Sequence, residues 1–246
     1  MPKLKDDAIP VVPLRDMVPQ PGTSLPLFVG RDSSKNAVLA AGAAKSPVIL
    51  VSQKSIAIEN PKPTDLYGVG IIAELNQLIE HPDGALRIVI TSKARVRLRN
   101  IQQKPDSDYL IAECDPVESV PASADVAKAA KSAVKGFGEY CASREDELLG
   151  ESRQLLGRLN EVQSQIQALR AANQSANKLT DPSAIADLLP GCIHTRVVPE
   201  KLSDPDVVKN LDERIRAKQG ILSEPDPAKR LHLLRKFVED SLEVRG

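Results

Sequence analysis

Aromatic side chains are scarce in this sequence. Its 246 residues include three Tyr, three Phe and no Trp, so aromatic residues make up 2% of the chain. Stacking platforms for single-stranded nucleic acid need aromatic side chains, and this class of binding protein is therefore disfavoured. Any hydrophobic core must be built from Leu, Ile, Val and Ala.

Net charge, cysteine pairs and long apolar runs are also missing. The 33 basic and 33 acidic residues cancel, which removes a global attraction for polyanions. Cys114, Cys141 and Cys192 are odd in number and far apart, which indicates neither a disulfide framework nor a zinc site and favours a reducing compartment. No stretch approaches the roughly 18 uninterrupted apolar residues of a membrane span, and the start lacks a signal core. We therefore expect a cytoplasmic protein without membrane contact.

The common catalytic and cofactor motifs are absent as well. No G-x-x-x-x-G-K-S/T phosphate loop occurs, and Ser24 lies in a Pro-ended stretch rather than in a nucleophile elbow. Cys192 and His194 are two residues apart, a spacing that rarely lets side chains face each other. The three His have no ligand-spaced neighbours. We predict no enzymatic activity, no catalytic residue, no metal site and no cofactor.

Residues 68–73 imitate the dinucleotide fingerprint G-x-G-x-x-A. That motif requires a leading strand, whereas residues 60–65 form a Pro-containing loop. A small enzyme built on this segment stays an alternative, but a long strand entering the Asp83-Gly84 turn is favoured, because Asp-Gly supplies the positive φ of a tight hairpin.

The composition changes near residues 120–123. Runs of β-branched residues punctuated by Pro and Gly precede this point, and Ala, Leu, Glu, Gln, Lys and Arg dominate after it. We predict an α+β protein with a β domain at 1–119 and a helical domain at 120–246. Many short strands favour a small closed or half-closed barrel over a parallel sheet. Strands are expected at 9–14, 25–29, 48–52, 69–79, 86–91, 94–101 and 109–117, with one helix at 31–44.

Helical spacing organises the second half. Asp181-Pro182 and Asp226-Pro227 each predict the capped start of a helix. The second of these helices is long and runs towards the chain end, where we expect further chain to follow. Apolar residues at 126, 130, 134, 137 and 141 share one helix face, and those at 155, 159, 162, 166 and 169 form a short coiled-coil-like seam, which favours packing inside the domain over joining two chains.

Five collinear segments carry a resemblance to a known family. They are IPVVPLRD at 9–16, LPLFVGR at 25–31, VILVSQK at 48–54, DLYGVGIIAE at 65–74 and the PDG turn at 82–84. Together they resemble the amino-terminal domain of the ATP-dependent Lon proteases. The helical half matches more weakly, and residues 19–24, 145–178 and 194–220 depart from the family pattern.

The resemblance implies a fold and a function. The fold is a PUA-like small β barrel followed by an α-helical bundle that ends in a long helix. The function is recognition of unfolded or damaged proteins and support of a hexamer, while ATP hydrolysis and Ser-Lys peptidase chemistry belong to modules outside this chain. Such recognition requires exposed apolar surface.

Two groups of residues are candidates for these contacts. Leu14, Leu25, Leu27 and Phe28 lie in the signature segments and could line a substrate-binding surface, with simple core as the alternative. Leu234, Phe237 and Val238 on the last helix could contact a neighbouring subunit or the bundle.

A run of alternating cations supports a different function. Lys93, Arg95, Arg97 and Arg99 alternate with Ala and apolar residues, so a regular strand would aim four cations at one face. That face could bind nucleic acid or another polyanion. The solvated side of an antiparallel strand explains the same pattern and is favoured, given the neutral net charge.

Overall fold

The computed structural model describes residues 8–80, 84–120, 125–154, 159–193 and 204–243. At residues 150–154, 159–162 and 243 it describes the backbone alone. Contacts divide the chain into two compact units. The first unit contains residues 1–118 and 195–223, and the second contains 119–194 and 224–246. Each unit is therefore built from two separate stretches of chain. The division into domains at 1–119 and 120–246 stays a prediction, and the contacts differ from it by placing 195–223 with the strands.

The described residues form six β-strands and six α-helices, and the fold is mixed α+β. The strands are β1 (Ile9–Leu14), β2 (Ser24–Val29), β3 (Val48–Ser52), β4 (Val69–Glu80), β5 (Leu86–Gln103) and β6 (Leu110–Pro116). The helices are α1 (Asp32–Ala44), α2 (Val126–Gln154), α3 (Leu159–Lys178), α4 (Pro182–Cys192), α5 (Pro205–Ser223) and α6 (Pro227–Glu243), and a 3-10 helix at Pro63–Asp65 precedes β4.

The strands form one largely antiparallel sheet that closes on itself. Their order is β2-β5-β4-β3-β1-β6, and β5 also pairs with β6. Strands β1, β3, β4, β5 and β6 therefore form a ring, with β2 attached to β5 outside it. The β1–β3 pair is parallel and the other pairs are antiparallel. Residues 69–73 lie in β4 between two antiparallel neighbours, an arrangement that excludes the dinucleotide-binding interpretation of this segment.

Strand β5 replaces two of the predicted strands. Ala73 pairs with Ser92 and Ile72 pairs with Ala94, so Lys93 is an extra residue in a β-bulge. A bulge bends a strand while pairing continues on both sides. The prediction of two strands here, at 86–91 and 94–101, is wrong because one strand continues through the bulge.

Two apolar clusters lie on opposite sides of β1 and β3. One packs α1 against the sheet, with Val38 and Ala41 of the helix beside Leu50 and Ile88. The other fills the ring and contains Val11, Ile49, Val51, Val96 and Leu98. Because β3 is buried on both faces, its sequence VILVS is apolar without alternation.

Helix α5 packs against β4. Leu211, Ile215 and Leu222 pack in one cluster with Val69 and Ile71. Two hydrogen bonds join the helix to the strand unit: Ile56 N donates to Asp212 Oδ1 at 2.8 Å, and Gln219 Nε2 donates to Val69 O at 2.7 Å. These contacts explain why α5 belongs to the first unit although it follows α4 in the sequence.

The second unit consists of α2, α3, α4 and α6, in which α2 contacts the other three helices and α4 also contacts α3 and α6. Both predicted helix starts are confirmed. Asp181 accepts hydrogen bonds from Ser183 N at 3.1 Å and Ala184 N at 3.3 Å, and Asp226 accepts from Ala228 N at 2.8 Å. In the predicted seam, Ile166 and Leu169 are buried, and the remaining positions lie outside the described side chains.

None of the helices in the described ranges has both the length and the apolar character that a bilayer crossing requires.

Candidate functional site: an apolar surface on three strands

Four apolar side chains converge on the outer side of the β2–β5–β4 part of the sheet. Two rows of paired residues cross β2, β5 and β4 in that order. The first row is Phe28, Arg87 and Ile79, and the second is Pro26, Val89 and Gln77. Residues directly opposite each other in an antiparallel sheet share one face. We call Pro26, Phe28, Ile79 and Val89 the outer apolar face.

The outer apolar face is open to solvent. Phe28 is 72% exposed and Ile79 is 46% exposed, while Pro26 is exposed and Val89 is half-buried. The Arg87 guanidinium lies over the Phe28 ring, 5.7 Å from its centroid. A single exposed apolar residue is ordinary, but a group of them on adjacent strands is a feature of binding surfaces.

The alternation of β2 produces this surface. Leu27 and Val29 are buried and Leu25 is half-buried, whereas Ser24, Pro26 and Phe28 are exposed. Side chains on a strand point alternately to its two faces. The first set packs against the cluster beneath α1, so the second set must face outward.

The structure separates the four residues that the sequence proposed for substrate contact. Leu14 and Leu27 are buried in the core, each 8% exposed, and Leu25 packs against the same cluster. Phe28 is the exposed member. The sequence analysis missed Pro26, Ile79 and Val89, since only the strand register brings them beside Phe28. The alternation around the Asp-Gly turn was the available signal.

The residues proposed for subunit or inter-domain contact are buried in the chain itself. Leu234, Phe237 and Val238 are at most 5% exposed, on a helix that contacts α2 and α4. These contacts correspond to the bundle alternative, and a contact with a neighbouring subunit stays a prediction.

The four cations of β5 do not form one open face. Arg95 is buried at 5% exposure; it lies opposite Ile71, which packs against α5. Lys93 pairs with Glu74 at 2.7 Å, and Arg99 Nε pairs with Asp115 at 2.7 Å. Arg97 is exposed. Exposed ion pairs contribute little to stability, but these carboxylates offset the positive charge that phosphate binding would need.

Cys114 and Cys141 are not prepared for nucleophilic chemistry. Burial raises the pKa of Cys114, and burial raises the pKa of Cys141 to about 12, so both stay protonated at neutral pH. Cys192 is the last residue of α4, and its Sγ lies 3.6 Å from Leu188 O. His194 and His81 lie outside the described residues. In the described ranges, no group of three or more His, Cys, Asp and Glu could hold a metal ion.

Comparisons with known proteins agree with the fold. The chain is 31% identical over 180 residues to Lon protease 3 of Sorangium cellulosum, which covers 73% of this chain and 21% of that protein. It is 34% identical over 134 residues to Lon protease of Haemophilus influenzae (54% and 16%), and 36% identical over 107 residues to Lon protease of Vibrio parahaemolyticus (44% and 13%). This chain therefore spans less than a quarter of these relatives.

Two solved structures share the fold. The N-terminal domain of Mycobacterium avium complex Lon protease has a TM-score of 0.58 at 20% identity, covering 95% of this chain and 99% of that one. The Lon N-terminal domain protein from Xanthomonas campestris has a TM-score of 0.51 at 12% identity, covering 93% and 96%. The model of the ATP-dependent protease La (LON) substrate-binding domain matches residues 8–203. Since that match spans most of the chain, this protein belongs to the Lon substrate-binding domain family.

Proposed function

We propose that this chain binds unfolded or damaged proteins through the outer apolar face, as the non-catalytic recognition part of a Lon-type ATP-dependent serine protease. The observation that carries the proposal is the exposure of Phe28 and Ile79 on one face of three adjacent strands. A non-native chain exposes apolar segments that a folded protein hides. Burying one large apolar side chain contributes about 1.5–3 kcal/mol, so a small group of such residues gives weak, reversible capture.

The wider assignment follows from the family. The ATPase and peptidase modules of the parent enzyme are the partners that would receive the captured chain, and the parent would assemble as a hexamer in the cytoplasm. A PUA-like barrel is supported by the closed ring of strands, and a helical bundle by the mutual contacts of α2, α3, α4 and α6.

A polyanion-binding function receives less support. Arg95 is buried, and Lys93 and Arg99 are paired with carboxylates, so the phosphate contacts available on this strand are few. Binding to nucleic acid through them would weaken as salt rises, whereas apolar capture would not.

The proposal is tested with the double variant Phe28→Ser/Ile79→Ser. Its affinity for reduced, carboxymethylated α-lactalbumin should fall at least tenfold, about 1.4 kcal/mol, because two apolar contacts are lost. Fluorescence anisotropy of the labelled substrate measures this change. Leu233→Ser is the matched control, since Leu233 is an exposed leucine (36%) on α6, and it should leave binding unchanged. Equal affinities for the double variant and the control would refute the proposal.

A further inference from the structure

We infer that an extended segment of the non-native chain adds to β2 as a further strand, so that recognition uses backbone hydrogen bonds as well as apolar side chains. This inference rests on the proposed function. It begins from the position of β2, which stands at the end of the strand order and, among the described residues, pairs with β5 alone. One edge of β2 therefore lacks a neighbouring strand in the described part of the chain.

The hydrogen-bond pattern shows which groups face that edge. Ser92 N of β5 donates to Thr23 O at 2.8 Å, which places Thr23 in a position bonded to β5. Backbone groups of an antiparallel strand alternate between its two edges, so Leu25 and Leu27 also bond to β5. Ser24, Pro26 and Phe28 turn their backbone groups to the open edge. The position of Pro26 is consistent with this alternation, because a proline is tolerated in an edge strand where its nitrogen faces away from the sheet.

The open edge carries one residue that opposes pairing, Pro26. Edge strands usually carry charged side chains, bulges or prolines that discourage another strand. Strand β2 reads SLPLFV and has no charge, and its register with β5 is unbroken. Pro26 removes one N–H from the edge, which leaves the N–H groups of Ser24 and Phe28 and three carbonyl groups. These groups match the backbone of an extended peptide.

The same proline argues against a second copy of β2 as the occupant. When two copies pair in antiparallel orientation, each places Pro26 at the edge, so at least two of the expected N–H donors are missing. A partner strand without proline can donate to the Pro26 carbonyl. Its side chains would extend the rows that contain Phe28 and Pro26. The occupant is therefore a proline-free, extended segment whose central, strand-pairing residues are uncharged and alternate between apolar and polar.

Amide exchange on the full chain tests strand addition directly. The probe is the heptapeptide acetyl-KTVTVTK-amide, compared with a version N-methylated at its five central residues, which keeps the side chains but lacks the donors. The unmodified peptide should slow exchange of the Ser24 and Phe28 amides at least tenfold, and the methylated peptide should bind at least tenfold more weakly. Binding without protection of these amides, equal binding of both peptides, or no binding of the heptapeptide would each overturn the inference.

A pair of variants separates the edge from the outer apolar face. Ser24→Pro removes an N–H from the open edge, and Ser24→Ala keeps it. Both lose the hydrogen bond from Ser24 Oγ to Ile90 O, which measures 3.3 Å. Ser24→Pro should weaken heptapeptide binding at least threefold relative to Ser24→Ala, with circular dichroism unchanged. One outcome would refute strand addition and leave the proposed function standing. In that outcome, the two Ser24 variants bind carboxymethylated α-lactalbumin and the heptapeptide equally well, whereas Phe28→Ser/Ile79→Ser binds α-lactalbumin more weakly than the parent protein. If Phe28→Ser/Ile79→Ser binds carboxymethylated α-lactalbumin as tightly as the parent protein does, both the proposed function and strand addition fail.

Discussion

Gly70 of β4 lies where a side chain would collide with β3. A Cβ atom added there would lie 2.5 Å from Leu50 O and 3.3 Å from side-chain atoms of Leu98 and Val51. Backbone oxygen cannot move aside as a flexible side chain can. The glycine that imitates a cofactor motif in the sequence is therefore explained by strand packing.

The prediction at this scale is that Gly70→Ala destabilises the protein. The added methyl group overpacks the ring interior, a change that costs roughly 1–3 kcal/mol. Urea unfolding followed by circular dichroism measures the free energy of unfolding. Gly68→Ala is the matched control, because a Cβ there has nothing within 4 Å, and its free energy of unfolding should match the parent within about 0.5 kcal/mol. A Gly70→Ala protein as stable as the control would contradict the packing argument.

Helices α2 and α3 are joined by an ion pair on their surface. Arg170 Nε donates to Glu145 Oε2 at 3.2 Å, and Arg170 Nη2 donates to Glu145 Oε1. The hydrogen bonds from Arg170 lower the pKa of Glu145, and burial opposes this shift. Because both groups are accessible to water, the pair adjusts the stability of the second unit only slightly.

The pH dependence of this pair can be predicted with its sign. A carboxyl with a lowered folded-state pKa stabilises the protein above its unfolded pKa, about 4.3 for Glu, and loses this contribution as the pH falls through the folded value. Glu145→Gln should therefore lower the melting temperature slightly at pH 7, and the difference should shrink as the pH falls below the unfolded pKa and vanish once the pH is below the lowered folded-state pKa. Asp146→Asn is the control, since it removes an adjacent, exposed charge and should leave the melting temperature at pH 7 close to that of the parent protein. A difference that persists at low pH would exclude the ion pair as its cause.

Most strand boundaries and two helix starts could be predicted, because periodicity and capping are local signals. The bounds of β1 and β3 match the expected ones, and Asp181 caps its helix as its position before Pro182 indicates. The bulge at Lys93 could not be predicted, since it depends on the register between β4 and β5. The same holds for the site: the sequence proposes Phe28 as a contact residue, but Ile79 and Val89 on the same face come from strands far along the chain.

The whole molecule joins distant parts of the sequence. Helix α5 completes the first unit, although the composition places it with the helices. Its apolar residues resemble those of any amphipathic helix, so nothing local identifies the sheet as its partner. Without α5, the apolar side chains of Val69 and Ile71 would face water.

A fragment experiment tests this dependence. Residues 1–119 alone should melt at a lower temperature than the same fragment with a synthetic peptide of residues 204–223. Each of Leu211, Ile215 and Leu222 contributes about 1.5–3 kcal/mol when buried, and differential scanning fluorimetry measures the shift. A peptide with Ile215→Asp should give little or no shift, since Ile215 is 1% exposed in the protein. A fragment that gains nothing from the parent peptide would show that the strands are complete without α5.

The separation of β6 from α5 also affects folding during synthesis. About 90 residues lie between the end of β6 at Pro116 and the start of α5 at Pro205, and a ribosome adds roughly 5–20 residues per second. For roughly 5–20 seconds, the nascent sheet would leave the ribosome with its helix-binding side bare. Under the proposed function, this protein would thus expose, during its own translation, the kind of surface that we propose it binds in other chains.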